Sequence, residues 1–85
     1  MPVKGRVAQA LLNLRKKFGV NDQGLIDLTL SRQDLASFAG TTYETVFRII
    51  NELTQENIIR TEGKDISILD EGRLTSFTEQ AIPGN

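Results

Sequence analysis

Residues Ser31–Leu53 read SRQDLASFAGTTYETVFRIINEL, and the fold turns on this stretch. Ser31 can cap a helix in which Asp34, three residues on, offers the reciprocal acceptor of a capping box. Leu35, Ala36, Phe38 and Ala39 supply a small apolar stripe before Gly40 stops the run about two turns later. A second helix then begins with Thr41 or Thr42 as its N-cap and runs to about Glu56. Val46, Ile49, Ile50 and Leu53 recur along it at 3.6-residue spacing. Two helices joined through a glycine turn predict a helix-turn-helix over about 31–56.

Upstream, Val7, Leu11, Leu14 and Phe18, with Ala8 and Leu12 beside them, predict an amphipathic helix from Lys4 to Phe18, stopped by Gly19. Arg15, Lys16 and Lys17 fall in its last turn, where cations complement the helix dipole, and that structural role accounts for the cluster. GVNDQG is turn chemistry. In LIDLTL, Ile26, Leu28 and Leu30 alternate with Leu25, Asp27 and Thr29, as expected of a short half-buried strand. Downstream, Ile58–Thr61 and Ile66–Leu69 are β-prone runs around a Glu62–Asp65 tip, a hairpin within about 57–69. Asp70 can cap a last short helix with Leu74, Phe77 and Ala81 inward, and IPGN reads as a frayed tail. The expected fold is mainly α with a small β component. It is a winged helix-turn-helix with a three-helix core, a hairpin wing and a short C-terminal helix, and residues 1–85 form one domain.

The composition narrows the chemistry. With 85 residues the chain can bury a modest core but not two lobes around a cleft, so large-cavity catalysis is not expected. No cysteine or histidine is present, which removes disulfides, thiolate chemistry, zinc-finger ligation and imidazole catalysis. Ser31, Asp34 and Glu44 have no histidine or lysine partner in a motif, and no phosphate-cradling P-loop occurs. No enzyme, metal or cofactor is expected. No apolar run approaches the ~20 residues of a membrane span, and MPVKGR leads into an amphipathic pattern rather than a signal peptide, so the expected location is the cytoplasm. The net charge of −1 weighs against a nucleic-acid partner. It is unevenly spread, however: Lys4, Arg6, Arg15–Lys17, Arg32 and Arg48 precede residue 50, and Glu52, Glu56, Glu62, Asp65, Asp70, Glu71 and Glu79 follow it, so local fields can be positive.

The second helix of the central pair carries the informative face. At 100° per residue, Glu44, Phe47, Arg48 and Asn51 lie opposite Val46, Ile50 and Leu53, with Tyr43 near the boundary. Glu44 and Arg48 are spaced i, i+4 for a surface ion pair worth ~0.2–0.5 kcal/mol. Phe47 between charged neighbours forgoes burial worth ~1.5–3 kcal/mol unless a partner covers it. The major groove of DNA offers suitable chemistry. Carboxylate accepts from cytosine N4, guanidinium donates twice to guanine, and an apolar group meets the thymine methyl.

These residues carry a resemblance to a family. GRVAQALLNL, LSRQDLASFAGTTYETVFRIINELTQENII with its ETVxR core at Glu44, Thr45, Val46 and Arg48, and RTEGKDISI resemble the first helix, helix-turn-helix and wing of the C-terminal DNA-binding domain of the Crp/Fnr transcription regulators. The similarity runs over about residues 4–69. It implies that Glu44 and Arg48 read bases and that Ser31, Arg32, Thr42, Thr45, Gly63 and Lys64 touch phosphates. Capping hydroxyls and helix N-terminal amides suit phosphate, which positions without specifying. Tyr43 stands where the family often has arginine and Phe47 where a small residue is common, so both join the expected base-contacting set and alter its preference.

The resemblance further implies a double-stranded DNA partner with a pseudo-palindromic operator. It implies a longer parent that dimerises through a preceding effector-binding region, and RNA polymerase as a partner of that parent. A winged helix used for protein contact, with Tyr43 and Phe47 as interface anchors, is the competing expectation, and the acidic pI of 5.3 fits it better.

Overall fold

A computed structural model describes residues 2–79, in the order α1 (Val3–Phe18), α2 (Arg32–Ala39), α3 (Tyr43–Gln55), β1 (Ile59–Glu62), β2 (Asp65–Ile68) and α4 (Glu71–Glu79). The expected four helices and hairpin are therefore present in the expected order. The core gathers Val7, Leu11 and Leu14 of α1, Leu35 of α2, Val46, Ile49, Ile50 and Leu53 of α3, Ile58 and Ile59 leading into the wing, and Leu74 of α4. Each fully buried aliphatic side chain contributes ~1.5–3 kcal/mol. Helix α1 is the central support, since α2, α3 and α4 all pack on it. It runs antiparallel to α4: the Lys4 ammonium sits 5.0 Å from the Phe77 ring centroid at one end, and Arg15 pairs with Glu71 at the other. Two of the expected inward residues of α4 are seen, with Leu74 buried and Phe77 packed at the core edge. Ala81 and the IPGN tail lie outside the described residues.

The turn between α2 and α3 is set by local bonds. Gly40 is left-handed, with φ +75°, and the Gly40 and Thr41 amides return to the Ser37 and Ala36 carbonyls, a Schellman closure. Thr42 then caps α3, its hydroxyl accepting from the Thr45 amide at 3.3 Å. Ser31 caps α2 in the same way, accepting from the Asp34 amide at 3.0 Å. Helix α3 ends in a second Schellman motif. The Asn57 amide donates to Thr54 and the Ile58 amide to Leu53, with Asn57 at φ +59°. It is the one non-glycine residue of positive φ among the described residues. That turn aims the chain out of α3 into β1.

Three expectations are corrected. Phe38 is 53% exposed rather than inward. On a two-turn helix whose buried stripe is Leu35, Ala36 and Ala39, it lies roughly 100° from the stripe's centre. LIDLTL is not a strand. Its burial alternates as expected from Ile26 to Leu30, but Leu25 is also buried, and the Leu28 amide donates back to the Ile26 carbonyl at 2.8 Å in a γ-turn centred on Asp27. That turn uses a group a ladder would need. What remains is an isolated bridge between Val20 and Ile26 and one bond from the Ile26 amide to Ile66 of β2. The wing tip is also tighter than expected, because Glu62 and Asp65 already pair within the ladder and only Gly63 and Lys64 form the turn. Gly63 at φ +61° followed by Lys64 at negative φ makes this a type II′ turn, whose twist suits a two-residue hairpin.

Candidate nucleic-acid interface

Along α3, Val46, Ile49, Ile50 and Leu53 are buried, while Tyr43, Glu44, Phe47, Arg48 and Asn51 are exposed. The division agrees with the helical spacing. Tyr43 and Phe47 are both 49% exposed and stack with centroids 6.0 Å apart and planes at 27°, forming an aromatic step on the first two turns. Their stacking at i, i+4 keeps each ring partly dry without removing the pair from solvent. Glu44 occupies the first turn, where the helix dipole favours a carboxylate.

The expected Glu44–Arg48 pair does not form. Arg48 turns toward the other end of the helix and lies 3.5 Å from the Glu52 carboxylate, which also takes Lys4 of α1 at 3.2 Å. Glu52 is equally spaced from Arg48, and a cation from another helix fixes its position; spacing on α3 alone could not rank the two glutamates. Glu44 has no ion-pair partner among the described residues, so its carboxylate stays open.

The phosphate-assigned residues gather at the N-terminal ends of α2 and α3 and at the wing. The Thr42 hydroxyl donates to the Thr45 hydroxyl at 2.9 Å while capping the helix, so the two form one polar unit. Lys64 is exposed at the wing tip beside Gly63. Arg32 is arranged as sequence reasoning did not foresee. Its guanidinium forks onto the backbone carbonyls of Lys64 (Nη1, 3.1 Å) and Gly63 (Nη2, 3.4 Å). Burial lowers the pKa of this guanidinium from its ordinary value, and the Tyr43 phenol pushes the other way. One signal was available: Arg32 is the first residue of α2, where the helix dipole disfavours a cation, so its charge there needs a partner.

A surface hollow of about 230 Å³ between α1 and α2 is lined by Arg6, Gln9, Ala10, Asn13, Phe38 and Ala39, and the residues expected to contact DNA lie outside it. No cluster of three metal-ligating side chains occurs among the described residues, and no helix is long and apolar enough to cross a membrane.

With an exposed α3 face behind a capped glycine turn, beside a hairpin closed by a two-residue turn, residues 5–77 match the Crp-like helix-turn-helix domain. The chain belongs to that family. A CRP-like cAMP-activated global transcriptional regulator of Mycobacterium tuberculosis is 36% identical over 74 residues, which is 85% of this chain and 33% of that protein. The cAMP-activated global transcriptional regulator CRP of Haemophilus influenzae is 35% identical over 69 residues, 80% of this chain and 31% of that protein. Among solved structures, a transcriptional regulator of the CRP/FNR family from Thermus thermophilus superposes with a TM-score of 0.81 at 32% identity, covering 93% of this chain and 41% of that one. FixK2 from Bradyrhizobium japonicum gives 0.78 at 28% identity, covering 89% and 38%. The chain thus spans about a third of the length of the curated relatives it matches. It is a winged helix-turn-helix of the Crp type.

Proposed function

We propose that the domain seats the first two turns of α3 in the major groove of double-stranded DNA and rests the wing on the phosphate backbone. The observation that carries this reading is the α3 face itself. Glu44 and Arg48 stand exposed opposite the buried stripe and Phe47 stands exposed on its flank, with cap hydroxyls at one end and Lys64 on the neighbouring wing. Arg48 donates twice to a guanine, Glu44 accepts from a cytosine amino group, and Phe47 covers a thymine methyl, with Tyr43 stacked behind it. Ser31, Thr42, Thr45, Gly63 and Lys64 take phosphates and set the register. Arg32 shares their edge, with its fork turned to the wing.

The parent regulator pairs two such domains on a pseudo-palindrome, works in the cytoplasm where the chromosome lies, and engages RNA polymerase from the bound site. In this reading its dimerisation and effector-binding parts lie upstream of the residues described.

Titrating the chain against a duplex containing candidate half-sites and against a random duplex, each at two salt concentrations, tests the reading. Affinity for both should fall as salt rises, with log K decreasing by ~0.9 per log unit of salt for each phosphate engaged, and the half-site duplex should bind more tightly throughout. Salt-independent or absent binding favours the second reading, a protein-contact module anchored on the Tyr43–Phe47 step. The half-exposed stacked rings and the net charge of −1 support that alternative.

A further inference from the structure

Arg32 differs from the other residues on the DNA-facing edge because both hydrogen-bonding arms of its fork are engaged inside the protein. They reach from the first residue of α2 to the two carbonyls of the wing turn, across more than thirty residues of sequence. Two-residue hairpins are marginal by themselves, and the wing has only two strands, so its tip needs outside support to hold one direction. Elsewhere the wing has such support: the Ile26 amide bonds to Ile66, the Thr29 hydroxyl donates to the Asp65 carboxylate at 2.8 Å, and Arg60 donates to the Gln23 carbonyl at 3.3 Å. At the turn itself, Arg32 alone among the described residues donates a side-chain bond to the Gly63 and Lys64 carbonyls.

The direction of those carbonyls matters. In a trans peptide the carbonyl and the following amide point to opposite sides, and no peptide here is cis. A Gly63 carbonyl turned toward Arg32 therefore turns the Lys64 amide away from it, outward at the tip. The guanidinium also covers the negative ends of two peptide dipoles that would otherwise oppose an approaching phosphate. We infer that Arg32 is a positioning residue for DNA binding: it clamps the wing turn to the start of α2, so that Lys64 and its outward amide meet the backbone at a fixed distance from α3. This rests on the DNA-binding reading above and adds to it a defined mechanical link between helix-turn-helix and wing. Lysine cannot replace the fork, because a single ammonium lacks its planar two-armed geometry.

Two measurements on the full chain test the inference. Without DNA, backbone 15N order parameters of Gly63 and Lys64 should be near those of a rigid backbone, ~0.85, and should drop below ~0.6 in both Arg32→Ala and Arg32→Lys, with Ile59 and Ile68 unchanged. With random duplex at one salt concentration, Lys64→Ala should weaken the unsubstituted chain several-fold but weaken Arg32→Ala or Arg32→Lys by less than about twofold, since coupled residues give non-additive effects. Additive losses, together with a tip that stays rigid in both Arg32 variants, would overturn the clamp and leave Arg32 as an independent phosphate contact. Full binding retained by Arg32→Lys would overturn it as well, because charge alone would then suffice. If the tip loosens as expected but the unsubstituted chain binds no duplex, the clamp survives as structure and the DNA-binding role fails.

Discussion

The Arg48 guanidinium lies 3.5 Å from Glu52, an exposed i, i+4 contact worth ~0.2–0.5 kcal/mol, whereas a bidentate bond to guanine discriminates by ~1–3 kcal/mol. In the proposed DNA complex the weaker tether yields to the stronger partner, so the Glu52 contact costs Arg48 little affinity. Arg48→Ala should therefore remove the preference for half-site over random duplex and leave the thermal midpoint within about 4 °C, since a lost contact of ~0.2–0.5 kcal/mol is at most half of the 1 kcal/mol that shifts a domain of this size by about 4–8 °C. Titration of both duplexes at one salt concentration checks this; an equal loss on both would make Arg48 a phosphate contact. At this scale the sequence was legible along α3, whereas on the two-turn α2 it put Phe38 on the wrong face. Exposure of Glu44, Phe47 and Arg48 follows from 100° per residue, and so does burial of Val46, Ile49, Ile50 and Leu53. Pairing was not legible where a distant group decided it. Lys4 fixes Glu52, and the wing carbonyls fix Arg32. Neither contact leaves a trace in local spacing.

Among the elements, the recognition helix and the wing are joined by one residue in an unusual conformation. Asn57 at φ +59° closes the end of α3 and starts the chain toward β1. Asparagine tolerates the left-handed region better than other side chains, and glycine tolerates it best. Asn57→Ala should lower stability by ~1–2 kcal/mol, and Asn57→Gly should stay within about 0.5 kcal/mol of the unsubstituted domain. Urea denaturation of the three proteins measures the difference, and an unaffected alanine variant would mean that the turn rearranges without cost. Elements with strong local signals were legible: Thr42 and Ser31 as caps, Gly40 as the stop, and the hairpin to within one residue at its tip. The stretch LIDLTL was misread because alternation reports which side chains are inward, not where the backbone spends its amides. Here the Leu28 amide turns back on Ile26.

For the molecule as a whole, a net charge of −1 limits sequence-independent attraction to DNA. One helix-turn-helix also spans only one half-site, and none of the described helices extends into a long pairing seam. The isolated chain should sediment as a monomer and bind weakly. Two copies joined by a linker that lets their α3 helices sit about 34 Å apart should bind a pseudo-palindrome 10²–10⁴-fold more tightly than one copy, through effective concentration. Sedimentation with footprinting checks both statements; a tight dimer of the isolated chain would refute them. Architecture at this scale was legible because each element was, and their order admits few arrangements.

The antiparallel clasp of α1 on α4 brings Lys4 to Phe77 and Arg15 to Glu71, the widest sequence separation bridged by any contact named here. The α2–α3 pair and the hairpin, by contrast, close over short loops. Chain closure grows costlier with loop length, so kinetics should separate the two halves. The α2–α3 unit should condense in the folding transition state, and α4 should dock after the barrier. Ile49→Ala should chiefly slow refolding and Leu74→Ala chiefly speed unfolding, a division stopped-flow chevrons can read. The α2–α3 half would then be native-like while the far side is still open, and a chain with α4 transiently undocked would keep the exposed α3 face in place.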